Sequence, residues 1–437
     1  LPALAQGAHH RRHPAKPEAM RHLFFLLSII LAPALMAQSL TLDSAIVRAI
    51  RHDRIQQQLL AIDSITALRD RDVANTWMPR LDLNATSTWQ NEQISFPGGA
   101  PGGSPPLVPL DFHRVLLNFN QTIYDGNNIH ERRELVALDA DGQRLQAEAR
   151  IIDLKGQVIQ RFMGVLLCTE QLRLSDLKSA TIEEQRSRIE QAVKAGAALA
   201  SEEDVLRAEL LTAEQERIGT EALEDRLRGE LVLLTGDEEA RTATFVRPDP
   251  GTIATLDPTQ RPDIRAFDVR VKALETQLGM TTASRRPTLG VFGNVGGGLP
   301  GYNILDNTLR PMVLGGVSLQ WRILGWGEVD RKRATTELQR GIILDERERA
   351  LRQVNIALAA QDEEMHKLDR LLEKDDELVG LRGNVARVKS EQLSLGTITA
   401  SEYITELNKE NSARLGHEVH QLQRLLAQRV RLNIAGQ

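Results

Sequence analysis

The sequence predicts a mainly α protein with a membrane β-barrel portion: long coiled-coil helices and two β-hairpins per chain, arranged as two structural repeats, with three chains sharing one twelve-stranded barrel. Three observations carry this. The chain repeats itself at a spacing of about 200 residues, seven-residue apolar stripes run through two proline-free stretches, and two other stretches switch to a period of two.

The repeat comes first because it organises the rest. Trp77-Met78-Pro79-Arg80-Leu81 recurs as Arg286-Pro287-Thr288-Leu289, Gln121 to Gly126 as Trp321 to Trp326, and Gly196, Ser201 and Glu202 as Gly396, Ser401 and Glu402. No proline interrupts Gly126 to Gly196 or Trp326 to Gly396. Ile151, Val158, Val165 and Leu172 form one heptad stripe there, and Leu344, Leu351, Leu358, Met365, Leu372 and Val379 form the other. A seven-residue period held this long signals left-handed coiled-coil packing. At 1.5 Å per residue, each helix should reach about 100 Å, more than a globule needs.

Beyond each glycine tip, Ser201 and Ser401 are expected N-caps before acidic first turns, Glu202 to Asp204 and Glu402. The returning helices should end near Gly236 and the C-terminus, while short helices before Pro79 and Pro287 start near Thr41 and Asp263. Two short helices would then stack end to end along each long one. Gln361, Asp362, Glu363 and Glu364 read as a solvated face.

The strands are expected at about 80–95, 112–125, 287–296 and 311–324. Leu81, Leu83, Ala85 and Trp89 alternate with Asp82, Asn84, Thr86, Thr88 and Gln90, and Val115, Leu117, Phe119 and Ile123 with Asn118, Asn120 and Thr122. In the second copy Leu289, Val291 and Val295 share a face, as do Val313, Val317, Leu319, Trp321 and Ile323. The joining loops, Phe96 to Asp111 and Gly296 to Arg310, are rich in Gly and Pro. Such strands suit a barrel with an apolar exterior and a wet interior, and Trp77, Trp89, Trp321 and Trp326 fall where interfacial girdles belong. The competing reading of these strands is a soluble sandwich buried on one face. Four strands cannot close a barrel and an open edge is not viable in lipid, so three chains would supply twelve.

Composition narrows the function. Fifty-four Lys and Arg against 59 Asp and Glu exclude a basic nucleic-acid binder, and one cysteine, Cys168, excludes a disulfide scaffold. Residues 1–19 read as an extension upstream of a true start at Met20. Arg21 and His22, the apolar run Leu23 to Leu31 and the small residues to Ala37 read as a secretory signal cleaved after Ala37, a membrane anchor being the alternative. Gln38 would follow the cut, so no lipid is attached there. No later stretch approaches 18 apolar residues in a row. The expected organisation is 1–37 extension and signal, 38–236 first repeat with a tip at 196–201, 237–262 linker, and 263–437 second repeat with a tip at 396–401.

Several motifs are decoys. Gly296 to Gly301 matches a dinucleotide fingerprint, but Pro300 and Asn303 open a loop where the phosphate site needs a helix N-terminus. His417 and His420 lie one turn apart without a third ligand, and read as a solvated face. Cys168 among Val165, Leu166 and Leu167 reads as a packed small residue. No Ser-His-Asp set or phosphate loop stands in a productive context, so no catalytic, cofactor or metal residues are expected.

Taken together, the order and spacing of these features resemble the TolC family of outer-membrane efflux proteins over essentially the whole mature chain. The matching features are Leu40 to Ile46, the strand starts at Pro79 and Pro287, Arg261 to Ile264 at the second copy's start, and the tips Gly196 to Leu206 and Gly396 to Ile404. The resemblance implies a homotrimer in the outer membrane of a Gram-negative bacterium, with a long periplasmic α-barrel and an equatorial belt drawn from Asp237 to Pro262 and the C-terminal residues. It implies the passive exit duct of a tripartite efflux or type I secretion system. A periplasmic adaptor (membrane fusion protein) would join it to an inner-membrane RND or ABC transporter.

Adaptor contacts would map to Gly196, Leu199, Ser201, Gly396, Thr397, Ile398, Thr399 and Ser401. Entrance acids would map to Glu402 and to Glu202 or Asp204, where carboxylate rings favour cations. The equally weighted alternative is that these acids only stabilise helix N-termini. Leu393 and Ile398 stand where some members place a Tyr and an Arg that latch the entrance. The competing classes are a periplasmic adaptor, which has one such hairpin, and a soluble coiled-coil scaffold.

Overall fold

The computed structural model describes residues 39–92, 108–250 and 256–436. The expected signal, most of the first strand-joining loop and part of the linker lie outside the described residues. In chain order the elements are β1 (Ser39–Leu40), α1 (Leu42–His52), α2 (Ile55–Ala74), β2 (Arg80–Trp89), β3 (Asp111–Tyr124), α3 (Asn128–Lys194), α4 (Ala200–Thr235), β4 (Thr244–Phe245), α5 (Pro262–Ala283), β5 (Thr288–Leu299), β6 (Arg310–Gln320), α6 (Glu328–Ser394) and α7 (Ala400–Ile434).

The two long helices have 67 residues each and begin and end 200 positions apart. Each follows two consecutive left-handed residues, Gly126 and Asn127 (φ 72° and 80°) in the first copy and Trp326 and Gly327 (φ 46° and 72°) in the second. Gly126 has a second reason to be glycine, because a Cβ there would lie 2.8 Å from the Ala283 carbonyl oxygen.

Short helices do stack end to end along α3. Arg133 to Asp70 (2.7 Å) and Arg144 to Asp63 (2.6 Å) fix α2 antiparallel to its first half, while Lys178 to Glu209 (2.7 Å) and Arg186 to Glu203 (3.3 Å) fix α4 along its second. In the second copy Arg347 to Asp268 (3.1 Å) sets α5, and Arg424 to Asp369 and Arg431 to Asp362 (both 2.5 Å) set α7 along α6. Asp362 is therefore an inter-helix partner and not just part of a solvated face. The first short helix is also broken. The chain turns at Asp53 and Arg54 (φ 59°) before α2.

Midway along α3 a core gathers Val158 and Phe162 with Ala45, Leu231 and Phe245. Two-residue strands β1 and β4 pair in parallel there, Leu40 opposite Phe245, and the Phe162 and Phe245 rings meet at 4.8 Å. Arg228 covers Phe245 at 4.7 Å and donates to the Ala243 carbonyl (2.9 Å). The C-terminal end joins this belt, with Asn433 donating to the Ile152 carbonyl at 3.0 Å. Buried Cys168 packs nearby, and burial pushes its thiol pKa up.

The four long strands form one antiparallel sheet in the order β2-β3-β5-β6. Both hairpins are present and they also pair with each other through β3 and β5. The expected limits shift: β5 runs on through the glycines to Leu299, and β6 stops at Gln320. Gly296 fits the ladder because a Cβ there would stand 2.0 Å from the Val115 carbonyl oxygen, so the Gly-rich run that looked like a loop is strand under close backbone approach.

Candidate functional site

Each tip is built by a glycine. Gly196 (φ 75°) and Gly396 (φ 68°) end the long helices, with Ala197 N–H donating to the Ala192 carbonyl (2.8 Å) and Thr397 N–H to the Gln392 carbonyl (3.0 Å). These are the six-to-one bonds of a Schellman C-cap. Because three residues complete the turn, the next helices start at Ala200 and Ala400. The N-caps are therefore Leu199 and Thr399, not the expected Ser201 and Ser401, which lie inside the first turn.

The two caps differ. Leu199 offers no side-chain acceptor and is 70% exposed, whereas Thr399 Oγ1 accepts from Glu402 N–H (3.2 Å) and Glu402 Oε2 accepts from Thr399 N–H (3.1 Å), a complete capping box. Glu202, from the other repeat, accepts from the Ala400 N–H. Two of the three expected entrance acids thus converge on the first turn of α7. The third, Asp204, is exposed on α4. The helix-stabilising role of Glu402 and Glu202 is in place here.

The tips pack against each other as well. Ile182 and Ile189 of α3, Leu206 of α4, Leu393 of α6, and Ala400, Tyr403, Ile404 and Leu407 of α7 form one apolar cluster, with Ile398 against it. Leu393 is buried in this cluster, and Ile398 packs half-buried against it. Burial pushes the Tyr403 phenol up to about 12. Above the cluster, Glu209 ties three helices, receiving Lys178 at 2.7 Å and Asn408 at 3.0 Å. Gly196, Leu199, Ser201, Gly396, Thr397, Thr399 and Ser401 remain exposed at the end of the rods, beside exposed Leu395.

At the opposite end, the register sorts the sheet into two faces. Leu83 opposes Leu117, which opposes Val295, which opposes Val313, and Leu81, Ala85, Val115, Val291, Val317 and Leu319 lie on that same face. Apart from half-buried Val291, these apolar side chains are exposed, Leu83 at 70% and Val313 at 72%. The other face carries Asn84, Thr86, Thr88, Arg114 and Asn118, with Phe112 and Leu116 among them, around a concave groove that is richer in polar groups than the first face. Trp77, Trp321 and Trp326 stand at the helix end of the sheet and Trp89 at the loop end, with the Trp321 indole N–H donating to the Arg285 carbonyl (3.1 Å).

One of the motif readings gains a detail and another needs correction. A Ser-His-Asp set does form: Ser87 opposes His113 in the register, with Ser87 Oγ 2.9 Å from His113 Nδ1 and His113 Nε2 3.0 Å from Asp111 Oδ2. Sequence reading missed it because only the strand pairing brings the residues together. His113 and Asp111 are half exposed on an open sheet face, so no enclosed site surrounds them. His417 and His420 are not a solvated face. They lie between helices, with His420 Nδ1 2.6 Å from Asp375 Oδ2 and His417 Nδ1 3.7 Å from Asp376 Oδ1. Among the described residues no group of three or more His, Cys, Asp or Glu could hold a metal, and no helix is long and apolar enough to cross a membrane.

No family model and no curated protein matches the chain by sequence. Solved structures do. The outer membrane protein VceC from Vibrio cholerae is 14% identical with a TM-score of 0.67, over 90% of this chain and 96% of that one. The Campylobacter jejuni CmeC outer membrane channel is 12% identical with a TM-score of 0.68, over 90% and 85%. The open-state Neisseria gonorrhoeae MtrE outer membrane channel is 16% identical with a TM-score of 0.68, over 90% and 88%. At these identities the likeness is one of architecture, and it spans rods, belt and sheet together: the chain has the fold of the outer-membrane channels.

Proposed function

We propose that this protein is an outer-membrane channel of a Gram-negative bacterium, acting as a homotrimer and as the passive exit duct of a tripartite efflux or type I secretion system. The observation that carries the reading is the sheet. It has an exposed apolar face, a concave polar face and two open edges, β2 and β6. An open edge has no place in lipid, whereas three copies joined edge to edge give twelve strands and satisfy every backbone group. The ten residues of β2 span about 33 Å, which at a tilt of about 40° matches a 25 Å apolar band, with tryptophans at both ends.

The rods support the same reading, since helices of 67 residues reach about 100 Å from such a barrel into the periplasm. Their exposed tips, Leu199, Leu395, Thr397 and Thr399 among them, offer the docking surface for a periplasmic adaptor that connects to an inner-membrane RND or ABC transporter. Energy then comes from the transporter, and opening requires the paired helices to part at the tips. Two hairpins and an apolar-faced sheet favour this over the adaptor or scaffold readings. The test is membrane fractionation followed by planar bilayers. The protein is expected to stay in the outer membrane after carbonate washing and to form pores as a trimer, and release into the wash would overturn the reading.

A further inference from the structure

We propose that Arg114 sets the ion preference of the pore's outer mouth, its three copies forming a cationic ring that favours anionic solutes at the exit. The inference deepens the exit-duct reading and rests on it. The register places Thr86, Arg114, Gly298 and Arg310 in one row on the concave polar face, toward the loop end of the sheet. The two arginines in that row differ. Arg310 is neutralised by Asp306, with Nη2 2.7 Å from Oδ2 and Nε donating at 2.8 Å. Arg114 makes no ion pair among the described residues, and its Nε is buried without a hydrogen-bond partner. Its guanidinium lies 5.9 Å from the centre of the Phe112 ring, which adds no negative charge.

Its surroundings preserve that charge. Gly298 makes room for the side chain, because a Cβ there would stand 3.3 Å from Arg114 Cγ and 2.6 Å from Met312 Sδ. Asp111 lies on the opposite face, engaged with His113. Asp82 shares the face but is four residues along β2 from Thr86, about 13 Å away and beyond the Debye length of about 8 Å at physiological salt. The chain between Gln93 and Leu107 contains no Asp or Glu, and Glu92, exposed just before it and six residues beyond Thr86, makes no ion pair among the described residues. A row of uncompensated guanidiniums around a lumen acts as an anion-selective ring.

The test is the reversal potential of the full trimer in planar bilayers under a potassium chloride gradient. Arg114→Gln is expected to shift it toward the potassium equilibrium potential, Arg114→Lys to keep the wild-type value, and Asp306→Asn, which unmasks Arg310, to shift it toward chloride. Pores of normal conductance whose reversal potential is the same in Arg114→Gln and wild type would overturn the ring while leaving the exit duct standing. A wild-type trimer that forms no pores would overturn both.

Discussion

The two long helices share a length and a place in the repeat, yet they are covered differently. Helix α3 has α1, α2, α4, α5 and α7 as neighbours and buries eighteen residues along its length, whereas α6 lies mainly against α5 and α7 and buries seven. The uncovered apolar residues follow suit: Leu338, Ile342, Ile356, Leu378 and Leu381 of α6 are exposed, while on α3 only Leu177 is among the exposed large apolar side chains of the described residues. The heptad stripe of α6, with Met365 buried and Leu351, Leu358, Leu372 and Val379 half-buried, packs within the chain as that of α3 does. Those exposed apolar residues of α6 lie off that stripe, on the face that the proposed trimer would cover.

The sharpest way to break this contrast is to damage each helix in turn. Phe162→Ala hollows the core around α3 and should lower the unfolding free energy by about 3–5 kcal/mol in chemical denaturation. Leu381→Asn, at a side chain 58% exposed, should leave the helical circular dichroism intact but weaken the proposed trimer by about 1.5–3 kcal/mol per subunit, read by native mass spectrometry. If Leu381→Asn instead melts the chain as Phe162→Ala does, the division of labour is wrong.

Smaller effects test the tips. Thr399→Ala should cost about 1 kcal/mol and raise hydrogen exchange in the first turn of α7, whereas Leu199→Ser, which supplies a missing cap, should slow exchange in α4 by a similar energy. The smallest effect at neutral pH concerns Tyr403. Its phenol is held neutral up to about 12 in the folded tip against 10.0 when free, so the unfolded chain loses its proton first. Stability should be complete below pH 10 and decline between about 10 and 12. Tyr403→Phe should abolish that component of the decline, measured as protection of α7 amides.

Rods, tips and hairpins were legible in the sequence because their signals are local: a heptad without proline, a glycine at each tip, and alternation along each strand. The belt strands β1 and β4 were not, since two residues carry no period and their pairing, Ser39 with Thr244 and Leu40 with Phe245, spans 205 positions. Likewise, the sequence offers Glu202 or Asp204 as the first copy's entrance acid, but the bond of Glu202 to Ala400 N–H depends on how the repeats meet in space. The serine caps failed for a geometric reason: the glycine turn uses three residues before helix resumes. Ser87, His113 and Asp111 required the strand register, which alternation alone does not fix.

The unequal endings of α3 and α6 bear on stoichiometry. A threefold assembly of this chain would display six hairpin ends around its mouth, alternating a bare leucine with a threonine-glutamate lock. A six-membered ring of identical subunits seated on those ends would meet two chemistries in alternation, so its subunits would bind as three pairs and not as six equivalents.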